Sequence, residues 1–534
     1  MFGTTVPVAQ SLRDIYTDDA LEAQSRRWNR LLSTFEANYG RAAAFVARSP
    51  GRVNIIGEHI DYSLYSVLPM AITADALIAV ALDTTPADAD SFTVRIANTQ
   101  PDKFPPREFS VPVAGEVDID ATKHEWSNYF RCGLRAALEL LRKKQPGIRP
   151  TGMSILMDGT VPAGGGLSSS AAFVSCSALA VMFANGEEVV DKTELTELAI
   201  VSERAVGVNS GGMDQSASVF PERGTALFVS FAPKLTAKPV RLPSADPPVS
   251  FLIAQSFVTA NKYVTGPIHY NLRVVECTLA ASYLNAVLNP PGTALPEDSS
   301  PLGISLHGLH ETYFHNLAAG KSEYSVQGSG GAKTFETQEQ QLAELIRLTE
   351  EALPKEEGYT RDEIAKVLGI SVEELEARFT TKIPIRAERF KLRQRALHVF
   401  AEALRVLEFM ALLDSGASAG AEGDDLNRKL GELLNTTHAS CRDIYENSSP
   451  EVDDLCRIAV EAGSYGSRVT GAGWGGCTVH MVPADKVDAV KAAWDEHYYS
   501  KRDLTAEQKE EATVVSQPGS GSAVLVVKPG SLDV

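Results

Sequence analysis

The sequence is poor in cysteine and lacks long apolar runs. Its six cysteines are scattered over 534 residues without a C-x-x-C pair, which argues against a disulfide framework or a zinc site. No apolar run reaches the length of about 18 residues that predicts a membrane-spanning helix. No basic segment followed by an apolar run opens the sequence, so no secretory signal is predicted. We therefore expect a cytoplasmic protein with reduced thiols.

The sequence also has fewer basic than acidic residues. Lys and Arg number 50 against 68 for Asp and Glu, so the formal net charge is −18. The negative electrostatic field of a protein with this charge repels phosphates at long range, which argues against a nucleic acid or an anionic membrane as partner. An enzyme that binds phosphorylated small molecules remains compatible with this charge, provided that its cleft is locally positive.

Helical and strand patterns mix along the chain without strict alternation, which predicts an α+β fold. Apolar residues recur at helical spacing in 11–39, 171–184, 191–206, 384–413 and 427–446. Short apolar runs predict strands over 45–48, 75–82, 151–157, 249–256 and 478–482. Composition predicts loops over 289–303, 327–333, 415–425 and 464–477.

The length of the chain indicates two lobes, because one ordinary domain is shorter. A Pro-rich break, AKPVRLPSADPP, occupies 237–248. We therefore predict an N-terminal lobe over residues 1–240 and a C-terminal lobe over residues 241–534.

The segment VPAGGGLSSSAAF has the composition of a phosphate-binding loop. Glycines that allow close backbone approach and serines that open a predicted helix follow one another: Gly164, Gly165, Gly166, Leu167, Ser168, Ser169 and Ser170. The unpaired N–H groups and the positive dipole end of such a helix bind anions such as phosphate. The segment lacks the P-loop pattern. Taken alone, it is equally compatible with a flexible linker or an ordinary helix cap.

Charged residues are dense in a strand-like run near the N-terminus. The stretch GRVNIIGEHIDYS sets four of them among apolar neighbours: Arg52, Glu58, His59 and Asp61. Burying such groups without partners is costly, so a function that needs them is favoured over core filling. A salt bridge with a capping role would also explain them. A further glycine-rich loop at 471–476 predicts, by itself, only a tight turn.

Taken in order, the motifs GRVNIIGEHIDY, GGGLSSSAA, GGMDQ and TGAGWGGC resemble those of the GHMP kinase superfamily. The first is similar to the galactokinase signature, and the resemblance points to fungal galactokinases and the related N-acetylgalactosamine kinases. It implies two α+β lobes with the active site in the cleft between them. It further implies that ATP and Mg²⁺ are used to phosphorylate the C1 hydroxyl of D-galactose.

The resemblance also implies roles for residues around the sugar. Asp214 would face the reacting hydroxyl as a base or only as an orienting group, and both remain open. Arg52 would lie beside it, where a cation keeps a carboxylate ionised and can neutralise the moving phosphoryl group. The implied sugar contacts are Arg52, Glu58, His59, Asp61, Gly212, Asp214 and Tyr270.

On the nucleotide side, the resemblance implies Ser170 and Glu203 as Mg²⁺ ligands, in keeping with the preference of this ion for oxygen. Trp126 and Tyr129 match adenine-side contacts, although core packing would explain them nearly as well. Three glycines match a loop near the sugar and the phosphates: Gly471, Gly473 and Gly475.

Several alternatives stay open. Residues 63–66 read SLYS where bacterial members often carry two glycines, so the sugar is galactose or N-acetylgalactosamine. Galactokinase-like sensors that bind a transcriptional repressor have a shortened glycine-serine loop, whereas this loop is complete, which favours catalysis without excluding such a partner. Residues 361–379 resemble a helix-turn-helix, but Glu373, Glu374 and Glu376 would face DNA phosphates, which argues against DNA binding.

Overall fold

Strands and helices mix along the chain, as predicted for an α+β protein. The computed structural model describes residues 3–83, 90–120, 125–162, 165–204, 211–242, 248–258, 265–320, 335–419 and 423–528. The strands are β1 Val8–Ala9, β2 Phe45–Ile56, β3 Leu68–Leu82, β4 Ser91–Asn98, β5 Arg107–Pro112, β6 Met153–Gly159, β7 Ala226–Ser230, β8 Thr236–Val240, β9 Val249–Gln255, β10 Gly466–Thr470, β11 Cys477–Pro483, β12 Thr513–Ser516 and β13 Ala523–Val526. The α-helices are α1 Leu21–Tyr39, α2 Ser127–Lys144, α3 Ser169–Ala184, α4 Lys192–Arg204, α5 Met213–Val219, α6 Tyr270–Leu288, α7 Leu306–Ala318, α8 Gln338–Ala352, α9 Arg361–Leu368, α10 Val372–Phe379, α11 Leu392–Ala419, α12 Gly423–Ser440, α13 Pro450–Glu461, α14 Val487–His497 and α15 Ala506–Glu511.

A seven-stranded sheet, in the order β1-β13-β2-β3-β6-β4-β5, forms the first layer. Strand β2 is buried on both faces because its alternate side chains point into different cores. Phe45 and Ala47 pack with residues of α2 and α3, whereas Val46 packs with residues of α1. Strand β13, from the other end of the chain, pairs with β1 and β2, so that Val524 lies opposite both Val8 and Ala47.

A four-stranded antiparallel sheet, in the order β10-β11-β9-β12, carries the second half of the chain. Helices α6 to α12 supply most of the largest apolar core, which also takes in Val53 and Ile55 from the end of β2. The glycine-rich loop between β10 and β11 therefore lies beside the end of β2. The fold thus brings the first and last motifs of the sequence together.

Most predicted helices and strands are confirmed, but the helix predicted over 384–413 begins only at Leu392, and three further differences follow. The helix predicted over 11–39 begins only at Leu21, after a short 3-10 turn at Leu12–Asp14. The loop predicted over 415–425 is helical in its described parts, as the end of α11 and the start of α12. The segment 464–477 contains β10, whose residues are all buried against β11.

Other predictions concern a further loop, membrane-spanning helices, the cysteines and the lobe boundary. The predicted loop 327–333 falls outside the described residues. None of the helices in the described ranges is long and apolar enough to cross a membrane. All six cysteines are buried and free. The lobe boundary at 240/241 stays a prediction, and strand β13 of the second predicted lobe completes the sheet of the first.

Candidate active site

A cavity opens where β2, the start of α3 and the start of α5 meet the loop between β10 and β11. Its volume of about 160 Å³ gives room for about ten water molecules or a ligand of similar size. Six of the predicted sugar-contact residues line it: Arg52, Glu58, His59, Asp61, Asp214 and Tyr270. Residues of all four sequence motifs therefore converge on one site.

An ion pair between Arg52 and Asp214 lies in this cavity. Both Nε and Nη2 of Arg52 donate to Oδ1 of Asp214, at 2.9 and 2.6 Å, while Nη1 donates to the carbonyl of Gly166 at 2.6 Å. Within the described ranges, no protein donor reaches the other carboxylate oxygen, Oδ2. The Asp214 side chain is 22% exposed while that of Arg52 is 4% exposed. The pair therefore presents Oδ2 to the cavity from a fixed position.

Burial would lower the pKa of Arg52, but the carboxylates of Asp214 and Glu58 outweigh it and the pKa is raised. Arg52 therefore stays a cation. Burial, together with the charge of Asp214, raises the pKa of Asp61 to about 6. Oδ2 of Asp61 accepts from the amide of Gly211 at 3.1 Å, which ties the turn after β2 to the residue before the N-cap of α5.

His59 is held in one orientation and one charge state. Its backbone has φ 59°, in the left-handed region. Nδ1 lies 2.8 Å from the hydroxyl of Tyr62, and Nε2 lies 3.0 Å from the carbonyl of Ala472, which can only accept. Nε2 therefore carries the proton, and burial lowers the pKa of the ring to about 3, which keeps it neutral. Because both nitrogens have partners, a sugar contact through either would replace one of these bonds.

The two glycine-containing loops touch through their backbones. Gly471 has φ +83°, and a Cβ there would lie 2.2 Å from the carbonyl oxygen of Gly166. Ser168, Ser169 and Ser170 line the cavity at the start of α3. The buried hydroxyl of Ser168 has no hydrogen-bond partner among the described residues. A helix start with a spare hydroxyl suits an anionic ligand.

The remaining predicted residues occupy different places. Gly471, Gly473 and Gly475 line the cavity with Gly166, whereas Gly165, Leu167 and Gly212 do not line it directly. Gly212, with φ +113°, is the N-cap of α5 and sets the direction in which Asp214 leaves the backbone. Gly164 lies outside the described residues.

The two predicted adenine-side residues lie at the start of α2, outside the cavity lining. The indole of Trp126 stacks on Phe173 of α3, with ring centroids 6.2 Å apart, and donates to the carbonyl of Pro105 at 3.0 Å. Tyr129 is 6.4 Å from the same ring. Their role in nucleotide binding stays a prediction.

The predicted Mg²⁺ ligands come from two helices that pack together, α3 and α4. Ser170 lines the cavity, and the carboxylate of Glu203 is buried at the end of α4, where Nε2 of Gln215 donates to it. Among the residues described, no group of three or more His, Cys, Asp or Glu could hold a metal ion. One hydroxyl and one carboxylate fit an ion that completes its shell with phosphates and water.

An aromatic wall of the cavity was missed by the sequence-based prediction. Trp474, at φ 55° within the last glycine loop, stacks on His269 with ring centroids 4.5 Å apart and planes 3° apart. Arg273 lies 5.3 Å from the centre of the Trp474 ring. A tryptophan among the four glycines of residues 471–476 was a visible signal, but its contact with His269 depends on the distant start of α6.

Comparisons with known proteins identify the family of the chain. Residues 33–82 match the galactokinase galactose-binding signature, 128–222 the GHMP kinases N terminal domain, and 424–500 the GHMP kinases C terminal model. The chain is 41% identical to a galactokinase of Schizosaccharomyces pombe, over 93% of this chain and 95% of that one. It is 40% identical to a galactokinase of Saccharomyces cerevisiae, over 92% and 94%.

Among solved structures, the crystal structure of Lactococcus lactis galactokinase complexed with galactose has the same fold. The TM-score is 0.58 at 24% sequence identity, over 92% of this chain and 98% of that one. The similarity to curated galactokinases extends over nearly the full length of both chains. The chain belongs to the galactokinase family of GHMP kinases.

Proposed function

We propose that this protein transfers the γ-phosphoryl group of ATP to the C1 hydroxyl of D-galactose, giving galactose 1-phosphate and ADP. The observation that carries the proposal is the Arg52–Asp214 pair, which offers one carboxylate oxygen to the cavity. The predicted sugar contacts and the serines that begin α3 line the same cavity as Asp214. A hydroxyl held there would have a proton acceptor on one side and an anion site on the other.

In this proposal, Asp214 receives the proton of the C1 hydroxyl as the oxygen attacks the phosphoryl group. General base catalysis of this kind requires a carboxylate that is ionised at working pH. Nε and Nη2 of Arg52 both donate to Oδ1 of this carboxylate, which leaves Oδ2 to accept the proton. Its positive charge also lies where negative charge moves during transfer.

The polyphosphate would lie against the start of α3 and the glycine loop at 471–476. Backbone approach is close there because Gly166 and Gly471 have no side chains. Ser170 and Glu203 would hold Mg²⁺, which when bound would neutralise phosphate charge. Because all six cysteines are buried and free, we further propose a reducing, cytoplasmic location.

The test is ADP release by the purified protein with Mg²⁺-ATP, comparing D-galactose, N-acetylgalactosamine and D-glucose. Rapid turnover with galactose alone would support the proposal. Faster turnover with N-acetylgalactosamine would replace the substrate but keep the reaction. Binding of galactose and ATP without ADP release would contradict catalysis and favour a sensor.

A further inference from the structure

The backbone amide, the backbone carbonyl and one carboxylate oxygen of Glu58 are bound by side chains from the second half of the chain. Oε1 of Glu402 accepts from the amides of Gly57 at 2.8 Å and Glu58 at 3.0 Å. Nε2 of His398 lies 3.0 Å from the carbonyl oxygen of Glu58. The Glu58 carboxylate contacts Nη2 of Arg468. His398 and Glu402 lie one turn apart on α11, so one helix holds both the amide and the carbonyl of this residue.

The charge state of Glu402 suits this role. Its side chain is fully buried, and its second oxygen, Oε2, accepts from Nε of Arg405 at 2.9 Å and from the hydroxyl of Thr437 at 2.8 Å. Burial would raise the pKa of Glu402, but Arg405 and the neighbouring cations outweigh it and lower the pKa to about 2. The two backbone amides therefore meet an ionised acceptor, which forms stronger hydrogen bonds than a neutral one.

His398 complements Glu402 as a neutral donor. Nδ1 lies 2.9 Å from the hydroxyl of Ser440, and Nε2 faces a carbonyl, so Nε2 carries the proton. Burial lowers the pKa of the ring to about 4, which keeps it neutral at physiological pH. The ring also packs on Tyr445, with centroids 4.2 Å apart.

The backbone held in this way is not one that the chain would adopt freely. His59 has φ 59°, a conformation that a side chain with Cβ rarely takes unless its surroundings impose it. Glu58 and His59 both line the cavity, whereas His398 and Glu402 do not. Neither of these two residues forms a hydrogen bond or an ion pair with Arg52 or Asp214 in the described structure. Their action on a ligand would therefore pass through the segment 57–59.

We propose that His398 and Glu402 are positioning residues that hold Glu58 and His59 in the geometry that binds the sugar. This rests on the proposed function, since it takes galactose as the ligand of this side of the cavity. In this proposal, sugar binding and the chemical step depend on different elements: α11 holds the sugar contacts in place, while Gly166 and α5 hold the Arg52–Asp214 pair. Loss of the α11 contacts should therefore weaken sugar binding and leave the chemical step largely intact.

The experiment measures steady-state kinetics and galactose binding by calorimetry for Glu402→Ala, Glu402→Gln and His398→Phe. Glu344→Ala is the matched control, because Glu344 on α8 forms the same kind of i,i+3 pair, with Arg347, away from the cavity. We expect Glu402→Ala to raise the KM and Kd for galactose about tenfold or more, with kcat and the KM for ATP within about threefold. Glu402→Gln should lose less galactose affinity, because its amide oxygen can still accept hydrogen bonds from the backbone amides of Gly57 and Glu58. The control should keep wild-type values.

Wild-type galactose KM and Kd in folded Glu402→Ala would overturn the proposal. A fall in kcat at unchanged galactose KM, or an equal rise of both KM values, would also overturn it. If Glu402→Ala does not fold, His398→Phe tests the proposal, because it removes one donor but keeps an aromatic ring. Wild-type galactose affinity in His398→Phe would overturn the proposal, and a higher Kd for galactose would support it. Wild-type protein that binds galactose without turnover would refute only the proposed function, because calorimetry still reports on the segment 57–59.

Discussion

Replacing Asp214 by asparagine tests the chemistry with little disturbance of the fold. Asparagine keeps an oxygen that can accept from Nε and Nη2 of Arg52, which now bond at 2.9 and 2.6 Å. Arg52 also keeps its bond to the carbonyl of Gly166, and the nearby carboxylates of Glu58 and Asp61 still balance its charge. The variant should therefore fold, and its galactose affinity should stay within about threefold of wild type.

The rate should fall steeply, because an amide cannot take up the proton of the hydroxyl. General base catalysis contributes about 10²–10⁴-fold to rate. At about 1.4 kcal/mol for each factor of ten, this corresponds to about 3–5 kcal/mol of barrier. We expect kcat to fall by this factor at saturating galactose and ATP. Single-turnover measurements would show whether the chemical step itself has slowed.

Asp83→Asn is the control, since the Asp83 carboxylate is also partly buried and paired with arginines, Arg41 and Arg95, but lies outside the cavity. It should keep the wild-type rate. A kcat above about a tenth of wild type for Asp214→Asn would remove Asp214 from the role of base, since the expected loss is about 10²-fold or more. A matching loss of galactose affinity would instead assign it to binding.

Three further predictions follow from the same site. Asp61→Asn should stabilise the ligand-free protein at pH 7 by on the order of 3 kcal/mol, because the pKa of Asp61 is raised from 3.8 to about 6 and its charged form costs stability above that pH. The gain in stability should vanish as pH falls towards 4. Urea unfolding of both proteins at pH 7 and pH 4 measures this gain, and equal stability at pH 7 would contradict the prediction. Gly471→Ala places a Cβ 2.2 Å from the Gly166 carbonyl oxygen and should raise the KM for ATP about tenfold, whereas Gly292→Ala, at the same φ of +83° but in open space, should leave it unchanged. Glu203→Gln should raise the Mg²⁺ concentration for half-maximal rate about tenfold, while galactose binding measured without metal should not change; an unchanged Mg²⁺ requirement would contradict its assignment as a ligand.

The α+β class and most elements could be predicted because their signals are local. Helix α3 has apolar residues throughout and begins at a serine run, and β9 is a short apolar run. The loop prediction for residues 415–425 was wrong over 415–419 and 423–425, because glycine, serine and aspartate suggested a loop. In the structure, Leu413 and Leu426 are buried on either side of this stretch, and ion pairs such as Asp425–Lys429 support the helix that follows.

Part of the cavity lining could be predicted, because its motifs contain many charged residues and glycines within short segments. Arg52, His59 and Asp214 could be named because each lies in such a motif. Glu402 and His398 could not, because each appears in the sequence as an ordinary polar residue of an amphipathic helix. Their role depends on contacts across more than 300 residues of chain, which no local pattern encodes.

Strand β13 has a consequence for how this protein acquires its structure. Residues 523–526 lie between β1 and β2, so the first sheet cannot close until the residues up to 526 have been synthesised. Pairings between such distant segments form slowly, because a long loop must first be ordered. Until then, β1 and β2 present unpaired edges that can join other chains. Nascent or truncated forms that lack β13 should therefore depend on chaperones, although the rest of the sheet is already synthesised.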